Sequence, residues 1–560
     1  MSRSPLVLRA LVAPLALLPA VRLSLLQRGR PLVTCRLDGR SPLPSAESIR
    51  ALADAPVAGL HLHVVDMPAA GWATLQALHE AMLAVRGAGR IVVVELETAG
   101  NAAVLLASAA SHAVLRPCVH LHLLGVGTVL PFGGPALARL GLKVDVVAAG
   151  PYKSLGEAFT RPYASPENRE AMRAVVAGLQ ALLEGGIAVG RGLTREAVRA
   201  AMDAGPLSPE DAVARGLVDA LAYPDEVEAW IEARLARTPR RVALERWWAR
   251  RAARARVAAM VAGMPRVAVV HLEGNVVDGA GAPGRPSIAA EPVVEKLDAL
   301  REDDGCRAVV LHVRSGGGSA TASDLLWRAV DRLAASKTVV AVFGDVAASG
   351  GYYLAAPAHA ILARPGTLTG SIGVVGGKLV WGGAAEKLGV HLELLLGTEA
   401  AGFLRSERPF TTQERERFRA QLQHGYRAFL DRVARGRKRP VEAIEPLAGG
   451  RVWTGEDARA CGLVDAFGGV EDGIARAVAL AGLPGARRVD VRVGPRGNVL
   501  QKLVRRLVAA WVPQAAGVPS LAEMPALAEA LGLEGPWAVF ARHPGVPLAV
   551  SPDAEALARA

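Results

Sequence analysis

Aromatic residues make up only 4% of this 560-residue chain, and cysteine occurs four times. Cys35, Cys118, Cys306 and Cys461 stand far apart. That spacing offers neither a metal-ligand set nor the disulfide framework of a small secreted domain, and it leaves the redox compartment open. No zinc-ligand spacing occurs, and neither a metal ion nor a cofactor is expected. The net charge of +12 permits a nucleic acid or an anionic membrane surface as partner. Basic residues interleaved with stacking aromatics are missing, which argues against nucleic acid. Long apolar runs are missing too. The run Ala10–Val21, preceded by Arg3 and Arg9, suits a signal-peptide core and is too short to span a bilayer. Pro14 and Pro19 interrupt it, and no small-x-small cleavage site follows. We read residues 1–45 as a leader that targets the membrane or lies along it.

What the chain does have is apolar bulk and a repeat. Hydrophobic residues reach 51%, which excludes a disordered chain and supplies a sizeable core. The length exceeds one ordinary domain. Ala110–Leu115 matches Pro357–Leu362, and Leu140-Gly141-Leu142 matches Leu388-Gly389-Val390. Ser208–Ala212 matches Thr454–Ala458, and Gly216–Ala220 matches Gly462–Ala466. Their offsets nearly coincide, so the chain holds two copies of one fold. Each copy alternates short apolar strands with helical periodicity: Val57–Val65, Trp72–Val85 and Arg90–Leu96 in the first, then Arg266–Leu272, Arg307–Val313, Ala320–Ala335 and Thr338–Phe343 in the second. That alternation predicts an α/β fold, with a largely parallel sheet flanked by helices in each copy. We expect the first domain at 46–235, a basic helical linker at 236–265, the second domain at 266–482, and a Pro- and Gly-rich tail at 483–560 that is not legible. The linker, with Trp247 and Trp248 side by side, suits either a membrane interface or a packed inter-domain helix.

One turn carries chemistry. In Gly344–Tyr353 a strand runs into a helix through Ser349, with small residues on both sides. A serine there is exposed at the strand's C-terminal edge, and the Gly350 N–H and the helix dipole favour negative charge beside it. The glycine run Gly316-Gly317-Gly318 closes the preceding strand; it reads either as a second source of oxyanion donors or as a tight turn. No histidine lies between His359 and His391, and His359 matches His112 in a copy without the serine, so lysine is left as the base. Lys153 follows the apolar strand Val144–Ala149, where partial burial would lower its pKa. The repeat strengthens the pairing. At the repeat offset, Ser349 corresponds to Ala102 and Lys153 to Ala400. Copy two keeps the serine and the glycines; copy one keeps the lysine. One active site divided between two degenerate halves has this appearance.

The second copy resembles the signal peptide peptidase A (SppA) family, within the ClpP/crotonase superfamily. The resemblance lies in residues 344–376 and 450–469, and in the first copy in residues 150–172. It covers most of 46–482 and fits the long, double-domain form. It implies two tandem ClpP/crotonase-like domains, a Ser349/Lys153 dyad, and oxyanion donors at Gly350 and Gly318. It also implies a membrane-bound homo-oligomer at the bacterial inner membrane, facing the periplasm and degrading released signal peptides. The family usually reads Asn-Ser-Pro-Gly-Gly where this chain has Arg314-Ser315-Gly316-Gly317-Gly318. The sequence thus reads as a serine endopeptidase for extended apolar peptides. Its rivals are a crotonase-like acyl-CoA enzyme and a non-catalytic membrane scaffold.

Overall fold

Valine- and leucine-rich runs become strands wherever helices cover the sheet on either side, because a parallel strand is buried on both faces. The computed structural model describes residues 29–281 and 287–493 and the backbone of 548–550. The leader up to residue 28 and the tail at 494–547 and 551–560 lie outside the described residues.

Copy one contains β1 (Leu32–Asp38), β2 (Gly59–Asp66), α1 (Trp72–Gly87), β3 (Ile91–Leu96), α2 (Asn101–Ser108), β4 (His112–Leu115), β5 (Lys143–Ala149), α3 (Pro166–Arg191), β6 (Ala220–Leu221) and β7 (Arg241–Ala243). Its parallel sheet has the order β6-β4-β3-β2-β1-β7. Helix α3 is long and apolar enough to cross a membrane by length and composition. Leu179, Leu183 and Ile187 on it are fully buried in the copy-one core, which marks it as a core helix. The linker helix α4 (Leu244–Val261) buries only Leu244, while Trp247 packs against the copy-one core.

Copy two repeats the plan with β8 (Arg266–Glu273), β9 (Asn275–Val277), β10 (Ser287–Ala289), β11 (Cys306–Ser315), β12 (Gly317–Ser319), α5 (Ala320–Ala334), β13 (Thr338–Ala348), α6 (Gly350–Ala355), β14 (Ala360–Ala363), β15 (Leu368–Gly370), β16 (Val374–Val380), α7 (Thr412–Arg437), β17 (Val452–Thr454), β18 (Ala466–Phe467), α8 (Val470–Leu480), β19 (Arg487–Arg492) and β20 (Leu548–Val550). Its main sheet runs β17-β15-β13-β11-β8-β19, with β14 on β13 and β18 on β14.

Matched residues make matched contacts. The Asp219 carboxylate accepts from Ala113 N at 2.7 Å, and Asp465 accepts from Ile361 N at 2.7 Å. Arg191 pairs with Asp219 and Arg437 with Asp465. Ser208 caps a helix through Asp211 N, and Thr454 does the same through Asp457 N. The chain is therefore two copies of one α/β unit.

Two boundaries need correction. Residues 32–38 are not leader: β1 pairs along its whole length with β2. The run that forms it continues the leader's apolar character, so composition did not separate them. Copy two does not end at 482, because β19 pairs in parallel with β8. The arginines in β19 disguise it as a charged tail segment.

The copies are not merely adjacent. Val346, Ala348, Leu368 and Val452 of copy two sit in the copy-one core. The end of β13 is thus packed by both halves, and each buried valine or leucine among these contributes roughly 1.5–3 kcal/mol.

Candidate active site

The strand β13 delivers Ser349 at the start of α6. Ser349 adopts φ 53° and ψ −115°, a region that non-glycine residues rarely occupy. Such strain persists where the surroundings fix it. Here Ser349 N donates to Gly370 O at 2.8 Å, and Ser349 O accepts from Tyr353 N at 2.8 Å. The residue has no solvent exposure.

Copy one brings the lysine through β5, which pairs antiparallel with β16 of copy two from Ala149↔Val374 to Lys143↔Val380. Beyond β5, Tyr152 N donates to Gly449 O at 2.9 Å. A Cβ on Gly450 would fall 2.5 Å from Lys153 N, so only glycine admits the lysine backbone there. Lys153 is 5% exposed. Its Nζ donates to Ser349 Oγ at 2.8 Å, to Ser371 Oγ at 3.0 Å and to Ser371 O at 3.0 Å. Residues 196 positions apart in sequence thus meet across the interface between copies.

Ser371 was not anticipated. It stands in the short turn between β15 and β16, with a positive φ of 49°, and carries no motif of its own. The two oxygens that it gives the amine aim Nζ at the Ser349 hydroxyl.

Gly350, the residue after Ser349, lies against the glycine run. A Cβ on Gly350 would meet Ser323 Oγ at 2.5 Å and Gly318 N at 3.3 Å. The Gly350 and Gly318 backbones therefore lie side by side. A Cβ on Gly318 would fall 2.0 Å from Val276 O, so β9 forces glycine at that position. Arg314, the departure from the family pattern, points its guanidinium at Glu273 (3.2 Å) and Asp345 (3.6 Å). His359 accepts from Val339 N at 3.1 Å, a structural role.

Asp345 ties the two halves together. It accepts from Thr74 N and Thr74 Oγ1, each at 2.7 Å. The α1 N-cap residue, Gly71, has no side chain to satisfy those first-turn donors. Asp345 of copy two therefore caps a helix of copy one, four residues before the serine. Asp345→Ala is expected to cost about 1–3 kcal/mol. Thermal unfolding checks this: a drop of several degrees, with Asp345→Asn retaining part of the loss, is the expected result.

Peptidase family S49 matches the chain twice, at residues 86–237 and 331–484. The chain is 32% identical to "Serine protease SPPA, chloroplastic" of Arabidopsis thaliana over 80% of its own length and 67% of that protein. It is 30% identical to "Protease 4" of Salmonella typhi over 80% of its length and 73% of that protein. It is 31% identical to "Putative signal peptide peptidase SppA" of Enterococcus faecium over 32% of its length and 52% of that protein. Matches of this extent, falling once in each half of a duplicated fold, show that the chain belongs to peptidase family S49 and is a serine peptidase.

Proposed function

We propose that Ser349 is the nucleophile and Lys153 the general base of an endopeptidase that cleaves extended apolar peptides, released signal peptides among them. The observation that carries this is the buried 2.8 Å contact between Lys153 Nζ and Ser349 Oγ. The neutral amine takes the hydroxyl proton as Oγ attacks the scissile carbonyl carbon. The Gly350 and Gly318 N–H groups stabilise the oxyanion, a donor being worth about 10²–10³-fold in rate. The ammonium then protonates the leaving amine, and water, deprotonated by the same amine, hydrolyses the acyl-enzyme. A crotonase-like acyl-CoA reaction has no use for such a pair. The relative whose name includes signal peptide peptidase supports the substrate class.

A serine-directed fluorophosphonate tests the reading. The expected adduct lies on the peptide containing Ser349 and vanishes in Ser349→Ala. Hydrolysis without any label on Ser349 would overturn it. Ser371→Ala is expected to lower kcat by about tenfold, the equivalent of one lost hydrogen bond to the amine; KM stays near its original value.

We further place this peptidase at a membrane, the bacterial inner membrane on its periplasmic side, as a homo-oligomer. The basic flanks and the apolar run of the leader support membrane targeting. Recovery of the whole full-length protein in the soluble fraction would refute it. For assembly, the repeat itself is the argument. The segment 391–397 of copy two corresponds to β5, yet it forms no strand among the described residues. It leaves Leu392 and Leu395 exposed, Leu395 by 84%. By the geometry of β5 on β16, this segment takes a strand from copy one of a second chain, a head-to-tail contact. Leu395→Asp is expected to lower the mass measured by light scattering to that of one chain.

A further inference from the structure

The strand that carries the lysine into copy two is β5, and its pairing with β16 decides where Lys153 ends. The seven opposed pairs run from Lys143↔Val380 to Ala149↔Val374. Apart from Lys143 and Asp145, β5 offers only valine and alanine; apart from Lys378, β16 offers only valine, leucine and glycine. Such strands specify register weakly. A slip of two residues keeps every side chain on its own face and again sets small apolar groups against small apolar groups. That slip moves the strand by about 6.8 Å. The contact between Lys153 Nζ and Ser349 Oγ is 2.8 Å, so a chain slipped that far loses it.

Two charges break the degeneracy. Asp145 and Lys378 stand opposite each other in the ladder, and both are buried, at 1% and 0% exposure. Opposed side chains lie on one face of the pair. There both grip the same stretch of copy two, residues 403–415. Asp145 accepts from Phe410 N at 2.8 Å and pairs with Arg415, which also donates to Val146 O at 3.3 Å. Lys378 Nζ donates to Arg405 O at 2.8 Å and to Phe403 O at 3.3 Å, and it lies 4.1 Å from the centre of the Phe410 ring. After a two-residue slip Asp145 would face Gly376 or Val380, and Lys378 would face Lys143 or Val147. The carboxylate would leave Phe410 N and Arg415 behind. A buried ion pair adds little net stability, because desolvation offsets the attraction, but a buried charge parted from its partner is strongly penalised. The native register avoids that penalty.

We infer that Asp145 and Lys378 are positioning residues for Lys153: they fix the register of β5 on β16, and with it the reach of the amine to Ser349. The inference rests on the reading of Ser349 and Lys153 as the dyad, and it adds the device that brings the two together.

The test is Asp145→Asn/Lys378→Met in the full-length chain. Asparagine still accepts from Phe410 N–H, and methionine fills the volume of the lysine stem, so the charges go while the shapes stay. Labelling of Ser349 by a fluorophosphonate is followed in time, and peptide mass spectrometry gives the labelled fraction. The wild-type chain labels in one phase. If the native and slipped registers become equal in free energy, about half of the variant labels at the wild-type rate and the remainder slowly. Turnover per fast-labelling serine stays unchanged. Adding Val144→Cys/Leu379→Cys, which oppose each other in the native register, and oxidising the pair restores a single fast phase. Single-phase labelling of the variant at the wild-type rate overturns the inference. So does a uniform slowing of the whole population, since a slip divides molecules into two classes. Should the double variant not fold, Asp145→Asn alone carries the same expectation of two phases. Failure of the dyad reading looks different: the wild-type chain itself would take no label at Ser349.

Discussion

Ser349→Ala is expected to lower kcat on an apolar peptide by at least about 10⁴-fold, leaving only what oxyanion donors and binding supply. The substitution removes one oxygen and nothing else. The strained backbone at φ 53° is held by the hydrogen bonds of Ser349 N and O, which alanine keeps. The amine of Lys153 keeps both oxygens of Ser371. The thermal midpoint should therefore move little while the rate collapses. Steady-state hydrolysis and calorimetry on the same preparation separate the two. A variant that retains a tenth of the activity would remove Ser349 from the chemistry.

Lys153→Arg is expected to cost about 10²–10⁴-fold in kcat, the usual contribution of a general base. Guanidinium keeps the positive charge and the donors but cannot give up its proton in a protein. It therefore cannot accept the hydroxyl proton of Ser349. It is also larger than the amine it replaces, in a site where the lysine is 5% exposed and the backbone touches Gly450. Lys153→Met separates charge from size, filling similar volume without a base, and should be as inactive as the arginine variant. The wild-type rate should rise with pH, since only the neutral amine is competent, and neither variant should show that rise. Near wild-type activity in the arginine variant would show that another group takes the proton.

Much of this site is legible in the sequence, for a physical reason. A duplicated fold makes a difference between copies informative: Ser349 stands against Ala102, and Lys153 against Ala400. The flanking glycines follow from close backbone approach, since Gly318 against Val276 O tolerates no side chain. Strand positions follow from runs buried on both faces, although β13 continues past Phe343 to Ala348 and so delivers the serine without a loop. What the sequence hides are contacts between copies. Ser371 reaches the lysine only because β5 docks on β16, and no spacing encodes that. Asp345 reads as an ordinary turn carboxylate, yet its partner Thr74 belongs to the other half. Nor does the sequence show that Arg314, where the family usually has asparagine, is turned toward Glu273 and Asp345.

The division of the dyad between the copies also orders events during synthesis. The ribosome makes Lys153 first and Ser349 196 residues later. Until β16 receives β5 and Gly449 receives Tyr152, the amine and the hydroxyl belong to separate bodies. With the proposed dyad, a nascent or truncated chain is expected to carry no working peptidase until the second half has folded onto the first.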